Sequence, residues 1–157
     1  MDKAFFDTWS PRALGLLRIV VGYLYLQHGT AKLLGFPHQA MFDGLQLASL
    51  LGLAGILELL GGALMVVGLF TRAAAFILSG EMAFAYFIGH FGKKGFLLVP
   101  QLNGGELAVL YCFVFLFFAA AGAGAWSIDA ARARPPSGAG SSHRVGDPRG
   151  EGRSEGR

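Results

Sequence analysis

Four long apolar windows, separated by short polar stretches, make up most of the chain. They cover about residues 12–35, 48–70, 73–90 and 104–126. A helix needs about 20 apolar residues to cross the hydrocarbon core of a bilayer, and each window meets or approaches that length. The pattern therefore predicts an all-α fold: an integral membrane four-helix bundle formed by residues 1–129.

The last part of the chain, residues 130–157, has a different composition. It is rich in Gly, Pro, Ser and Arg, and Val145 is its only branched aliphatic residue. Such a composition cannot bury enough apolar area to offset the entropy lost when a chain becomes ordered. We therefore expect a disordered C-terminal tail.

Composition and charge agree with lipid as the main solvent. The chain is 54% hydrophobic and 15% charged, whereas soluble domains have about 25% charged residues. Residues 1–129 hold seven basic and seven acidic side chains, and the net charge of +3 comes from six arginines and three acids in the tail. Because the body is neutral, the basic balance does not indicate a nucleic-acid partner.

The charges around the windows predict the topology. Only Thr71 and Arg72 separate the second window from the third, which predicts a tight turn there and an antiparallel hairpin. Basic residues accumulate on the cytoplasmic side of membrane proteins. With the N-terminus inside, five basic residues near the span ends lie on the inner side, and Lys93 and Lys94, plus Lys32 at a helix end, lie on the outer side. Both termini are therefore predicted to be cytoplasmic. The five inner residues are Lys3, Arg12, Arg72, Arg132 and Arg134.

Polar residues and glycines in the first window share one helical face. They recur at spacings of three and four residues, which places them in a single seam. Glycine allows the backbone of a neighbouring helix to approach closely in membranes, so we expect the seam to face other helices and not lipid. The second window repeats this pattern around Glu58. The first seam comprises Gly15, Arg18, Gly22, Tyr25, Gly29 and Lys32.

Depth along the windows sorts the ionisable residues into two predicted clusters. A charge at the bilayer centre costs about 2.5–3.5 kcal/mol on insertion scales, so lone charges there are unfavourable. We expect one central acid to pair with Arg18 and the other to hold a proton, because burial disfavours a charged carboxyl. The central cluster is Arg18, Glu58 and Glu81, and the outer cluster is His28, Lys32, His90, Asn103 and Glu106.

Two interpretations of these clusters stay open at this point. In the first, they form a ligand or proton site for a quinone or small aromatic molecule. Lys32 or His28 would bind a carbonyl oxygen and a carboxyl would deliver the proton. In the second, the same groups pair across helices and fix the helix register.

The sequence predicts no metal and no covalently bound cofactor. Cys112 is the only cysteine, and there is no haem-attachment, iron–sulfur or nucleotide-binding motif. His28 and His90 lie at different depths, which disfavours haem ligation. Zinc binding by these histidines and Glu106 is disfavoured because no histidine pair is spaced i, i+4. Redox activity would therefore need a diffusible quinone or a partner subunit that carries the cofactor.

Four stretches resemble the DoxX family of small bacterial membrane proteins, in the family's order over most of residues 12–129. They are LLRIVVGYLYLQHGTAKLLGF at the start, ILELLGGALMVVGLFTRAAA around Glu58, GEMAFAYF around Glu81 and NGGELAVLY from Asn103. The resemblance implies a four-helix bundle in the bacterial inner membrane. Seven residues match the family's polar positions, and none of these is an established catalytic residue: Arg18, His28, Lys32, Glu58, Glu81, Asn103 and Glu106.

The resemblance also implies a functional setting, because relatives are linked to quinol oxidase, thiosulfate:quinone oxidoreductase and detoxification systems. We therefore expect a small subunit or accessory protein of a membrane redox system near the quinone pool, with a redox partner subunit. One alternative is a non-enzymatic scaffold or chaperone for partner proteins. Another is a transporter of protons or small solutes. Neither an enzymatic activity nor an oligomeric state follows from the sequence.

Overall fold

The computed structural model describes residues 2–91 and 99–133, and every regular element in these residues is helical. The prediction of an all-α fold is therefore confirmed for this part of the chain. A π-helical segment, Tyr86–Phe91, continues the third helix. The helices are α1 (Lys3–Leu33), α2 (Leu50–Val67), α3 (Thr71–Ala85), α4 (Pro100–Asn103), α5 (Glu106–Ala121) and α6 (Ile128–Arg132).

Two helical stretches among the described residues are long and apolar enough to cross a membrane. They are Leu50–Val67 and Thr71–Phe91, the latter comprising α3 and its π-helical continuation. Helix α5 is also apolar but shorter. Helix α1 has 31 residues, which corresponds to a length of about 46 Å at 1.5 Å per residue. Two of the four predicted windows thus contain a helix that meets the length and composition of a span.

The hairpin between α2 and α3 turns earlier than predicted. The chain reverses at residues 68–70, whereas Thr71 and Arg72 are the first two residues of α3. Gly68 ends α2 with a φ of 68°, a left-handed conformation that glycine adopts without a Cβ penalty. The prediction of a turn at Thr71 and Arg72 is therefore wrong by a few residues. A glycine at the end of a helix is therefore a stronger signal for the end of that helix than the polar pair Thr71 and Arg72.

Close contacts of glycines join α1 and α2. A Cβ atom added to Gly22 would lie 2.8 Å from Cβ of Met65, and one added to Gly62 would lie 2.8 Å from Cα of Leu26. Neither position has room for a larger side chain. The predicted seam of α1 is buried from Gly15 to Gly29, which confirms that it faces another helix.

The hydrophobic core lies where α1, α2, α3 and α5 meet. Its central side chains are at most 1% exposed. Outside this core, the helices present apolar side chains outward; Phe113 on α5, for example, is 64% exposed. The bundle therefore has an apolar interior and an apolar outer surface. The central side chains are Tyr25, Met65, Leu78, Phe115 and Phe118.

The segment after α5 folds back under the α2–α3 turn. The amide of Ala125 donates to the carbonyl of Pro11 at 2.8 Å, and the amide of Asp129 donates to the carbonyl of Gly68 at 2.9 Å. We call this end, which contains residues 68–70, the hairpin end. The opposite end, with the C-terminus of α1 and the N-terminus of α2, is the cavity end. Helix α6 includes the first residues of the predicted tail, and residues 134–157 lie outside the described residues.

Candidate functional site

A cavity of about 540 Å³ lies between α1, α2, α3 and α5 at the cavity end. Pockets for small organic ligands usually measure about 300–1,000 Å³ and combine apolar walls with a few polar groups. This cavity has the same character, since aliphatic side chains such as Leu50 and Ile88 form much of its wall. The polar and aromatic groups that line it are Tyr25, His28, Lys32, Glu58, Glu81, Phe84, His90 and Tyr111.

A buried ion pair lies in the cavity wall. Nζ of Lys32, in the last turn of α1, is 2.5 Å from Oε1 of Glu58 on α2, and the two side chains are 11% and 5% exposed. The contact is possible because Gly29 and Gly55 bring the two helices together beside it. The structure therefore joins one residue of the predicted outer cluster to one of the central cluster.

Glu81 on α3 completes the polar wall. The hydroxyl of Tyr25 donates a hydrogen bond to Oε2 of Glu81 at 3.0 Å. The other oxygen of Glu81, Oε1, and Oε2 of Glu58 are buried and have no hydrogen-bond partner among the described residues. A buried carboxylate oxygen without a partner is costly. The wall thus holds two carboxyl groups and one ammonium group, that of Lys32. The unpaired carboxyl oxygens can therefore bind a proton or accept a hydrogen bond from a ligand.

Aromatic rings surround His28 on the α1 side of the cavity. The ring centroids of Tyr25 and Tyr111 are 5.3 Å apart, and the imidazole of His28 lies 6.3 Å from Tyr25 and 6.4 Å from Tyr111. His28 is half-buried. The wall can therefore contact a flat ligand ring and also offers an imidazole within the same surface.

His90 lies at the rim of the cavity, on the π-helical segment. Its Nδ1 is 3.3 Å from the carbonyl oxygen of Asn103, and its ring stacks on Tyr86 with centroids 6.4 Å apart. The side chain of Asn103 donates to the hydroxyl of Tyr86 at 3.2 Å and accepts from the amide of Gly105 at 2.8 Å. Asn103 thus holds the start of α5 against α3 and does not line the described cavity wall. Isolated π-helical turns are often found at functional sites.

The structure does not bring Glu106 into the predicted outer cluster. Glu106 is exposed as the first residue of α5, on the side of that helix where Leu110 and Phe113 are also exposed. The buried face of α5 instead contains Tyr111 and Phe115. A carboxylate in the first helical turn is stabilised by the positive end of the helix dipole, which explains its position without a partner in the cavity.

Arg18 lies away from the cavity, and the prediction that it pairs with one of the central acids, Glu58 or Glu81, is wrong. Its side chain is fully buried, and all the acceptors of its guanidinium within residues 2–91 and 99–133 are backbone carbonyls. The last carbonyls of a helix lack partners within it and lie at the negative end of the dipole, so the five donors of arginine suit this position. The accepting carbonyls are Met65 and Val66 (2.7 Å) at the end of α2, and Ala123 (2.8 Å), Ala125 (3.4 Å) and Trp126 (2.7 Å).

Asp129 anchors the hairpin end, a role that the sequence reasoning missed. Its carboxylate accepts hydrogen bonds from the amides of Phe70 at 2.9 Å and Thr71 at 2.8 Å, at the start of α3. Partial burial alone would raise the pKa of Asp129. The hydrogen bonds from Thr71 and Phe70, together with nearby Arg132, outweigh this effect and hold the pKa below its usual value. No sequence motif marked this contact, because the partners are 58 and 59 residues apart.

Tyr25 and Tyr111 were also absent from the predicted site. For Tyr25 a signal existed: it lies in the α1 seam one helical turn after Gly22, on the face that carries Lys32. Tyr111 lies in an aromatic run, and its hydroxyl position depends on how α5 is rotated. Within the described residues, no group of three or more His, Cys, Asp and Glu side chains has the geometry to hold a metal ion.

Comparisons with known proteins agree with the resemblance found in the sequence. The family model DoxX matches residues 13–91. A Haemophilus influenzae protein described as uncharacterized is 49% identical over 124 residues, which cover 78% of this chain and 92% of that protein. An uncharacterized membrane protein of Mycobacterium tuberculosis is 29% identical over 135 residues, covering 76% and 81% respectively. No solved structure matches the chain at a significant level.

Proposed function

The chain belongs to the DoxX family, and from this premise and the site described above we propose that it is a quinone-binding membrane protein. It acts as a small subunit or accessory protein of a redox or detoxification system near the quinone pool. It forms a four-helix bundle across the bacterial inner membrane, with both termini in the cytoplasm.

The outer surface of the bundle supports the membrane assignment. Leu16 and Val20 on α1 and Phe76 on α3 are 45–68% exposed, and similar side chains cover the outward face of α5. Soluble monomers rarely expose contiguous apolar patches larger than a few hundred Å². Exposure of these apolar side chains to water is unfavourable, whereas exposure to the hydrocarbon of a bilayer is not. One relative is also described as a membrane protein.

The observation that carries the functional proposal is the polar wall of the cavity. The volume of about 540 Å³ accommodates an aromatic head group, and the buried Oε1 of Glu81 has no partner among the described residues. Lys32 or His28 would donate to a carbonyl oxygen of the quinone. The carboxyl of Glu81, oriented by the hydroxyl of Tyr25, would exchange a proton with the bound head group.

Quinone, when bound, supplies two-electron, two-proton redox chemistry. The residues of this chain hold the head group, exclude water and exchange protons. The electrons would come from a partner subunit, because the sequence has one cysteine and no haem-attachment motif. This division of roles describes an accessory subunit that provides the quinone site and leaves electron transfer to its partner.

Binding of decylubiquinone to the purified full chain in lipid nanodiscs tests this proposal. We expect saturable binding of one quinone per chain. Glu81→Gln should weaken it at least about tenfold, because hydrogen bonds to charged groups contribute about 1.5–3 kcal/mol. Glu106→Gln, the same chemical change at an exposed acid outside the cavity, serves as the matched control and should bind like wild type.

Two results would contradict the quinone site. One is the absence of saturable binding to the wild-type chain. The other is unchanged binding by a folded Glu81→Gln variant. If quinone does not bind but a protein partner co-purifies in a fixed ratio, the scaffold function becomes the better explanation.

A further inference from the structure

The two helices of the hairpin separate as they approach the cavity end. Near the turn they are in contact, since a Cβ atom added to Gly61 on α2 would lie 2.6 Å from the side chain of Leu78 on α3. One turn further from the hairpin end, Glu58 and Glu81 already line the cavity, and beyond them so do Ala54 and Ala85. The space between α2 and α3 is therefore filled by side chains at one end and open at the other.

The apolar side chains along this gap are exposed on the outside of the bundle as well. Leu50 and Leu51 on α2 are 65% and 51% exposed. Phe84 on α3 and Ile88 on its π-helical continuation are 53% and 51% exposed. All four also line the cavity. Residues that line a cavity and are exposed on the outer surface mark its opening. The cavity therefore opens sideways, onto the surface that the proposed function places in lipid.

The buried ion pair lies between this cavity and a second one at the cavity end. The second cavity is polar and measures about 270 Å³, and its wall includes His38 and Asp43. Lys32 lines both cavities, and its ammonium group is 2.5 Å from the carboxylate of Glu58. A ligand that came from the second cavity would have to break this pair, whereas a ligand from the side would pass the apolar side chains named above.

We propose that the gap between α2 and α3 is a lateral portal through which the ligand enters from the bilayer, and that Ala54 and Ala85 set its width. These small residues lie one helical turn from Glu58 and Glu81 respectively, on facing helices, between the carboxyls and the exposed opening. The ligand class is an aromatic head with a hydrocarbon tail. Its head lies at Glu81, and its tail extends between the helices into lipid. This inference rests on the proposed function, since it requires a ligand in the cavity.

Photo-crosslinking in nanodiscs tests the portal directly. The probe is a ubiquinone analogue with a ten-carbon tail that ends in a diazirine. With the wild-type chain, we expect labelling at residues 50–54 and 84–88, which excess decylubiquinone should suppress. Labelling mainly at residues 38–45 would overturn the portal, because it would place the ligand in the second cavity.

Tryptophan substitutions test the two alanines. Ala54→Trp and Ala85→Trp should slow the association of decylubiquinone at least tenfold, whereas a tail-less benzoquinone should be affected less. Ala63→Trp, at an exposed position of α2 outside the described cavity wall, is the matched control and should associate at the wild-type rate. Wild-type association rates in folded Ala54→Trp and Ala85→Trp would overturn the assignment. If a variant does not fold, the labelling of the wild-type chain decides.

The two proposals can fail separately in these experiments. If neither the tailed nor the tail-less quinone binds saturably to the wild-type chain, the proposed function is wrong and the portal with it. If both bind saturably but the labelling lies outside the α2–α3 gap, only the portal is wrong.

Discussion

Three ionisable side chains determine the chemistry of the cavity. Lys32 and Glu58 neutralise each other across α1 and α2, and Glu81 adds a second carboxyl without a second cation in the described wall. The structural interpretation therefore fits the pairing of Lys32 with Glu58, and the functional interpretation fits Glu81 together with the donors that the proposed function uses. The ion pair joins two helices, and Glu81, with a free buried oxygen, is the group available to a ligand.

The ion pair predicts a specific pattern of stability. Lys32→Met should destabilise the fold by about 3 kcal/mol, because removal of one partner leaves a buried charge uncompensated. The double variant Lys32→Met/Glu58→Leu should recover most of this loss, since an apolar pair of similar volume restores the packing. Thermal and denaturant unfolding in detergent micelles measure both effects. Losses that simply add in the double variant would show that the two side chains are not coupled.

At the scale of the helices, the sequence predicted which face of a helix is buried better than it predicted the hydrogen-bond partners of individual side chains. The α1 seam followed from spacing, because glycines that recur every three or four residues have few explanations other than close helix packing. The partners of Arg18 did not follow, because backbone carbonyls have no sequence signature. The partners of Arg72 could not be predicted either. This residue lies in the first turn of α3 and not in the preceding turn, and its guanidinium donates to carbonyls at the end of α5 (3.0 Å to Ala119).

The anchor of α3 by Asp129 predicts a pH dependence. The pKa of Asp129 is lowered in the fold, so its contribution is present above the unfolded value of about 3.9 and is lost as the pH falls through the folded pKa. Asp129→Asn should cost about 1 kcal/mol at neutral pH, as loss of a helix cap does. The gap between the unfolding midpoints of the two proteins should narrow below about pH 4. Asp7→Asn is the control, and a gap that stays constant from pH 7 to pH 3 would contradict this role.

At the scale of the whole molecule, the cavity exists because α2 and α3 separate away from their turn. The sequence does not predict this separation. The sequence predicts Glu58 and Glu81 at similar depth, and both line the same cavity wall. It could not show that α2 and α3 touch at Gly61 and separate beyond it, since the separation depends on how all the helices pack. Rotation of α5 likewise decided that Tyr111 faces the cavity and Glu106 does not.

The distribution of basic residues in the fold predicts the orientation in the membrane. Among the described residues, Arg12, Arg72 and Arg132 all lie at the hairpin end, whereas Lys32 at the cavity end is neutralised by Glu58. Lys93 and Lys94, which the sequence analysis places on the opposite side, lie outside the described residues. The positive-inside rule therefore predicts that the hairpin end faces the cytoplasm. In that orientation the proposed quinone site would lie in the half of the bilayer that faces away from the cytoplasm.

Cysteine labelling in intact cells measures this orientation. In a Cys112→Ala background, Gln39→Cys at the cavity end should react with a membrane-impermeant maleimide added outside, in cells with a permeable outer membrane. Asp7→Cys at the hairpin end should react only after lysis, because the inner membrane excludes the reagent. The Cys112→Ala chain itself controls for background. The reverse pattern would invert the protein and place the quinone site in the cytoplasmic half of the bilayer. The lateral portal would keep its geometry in that case, since it depends on the gap between α2 and α3 and not on which end faces the cytoplasm.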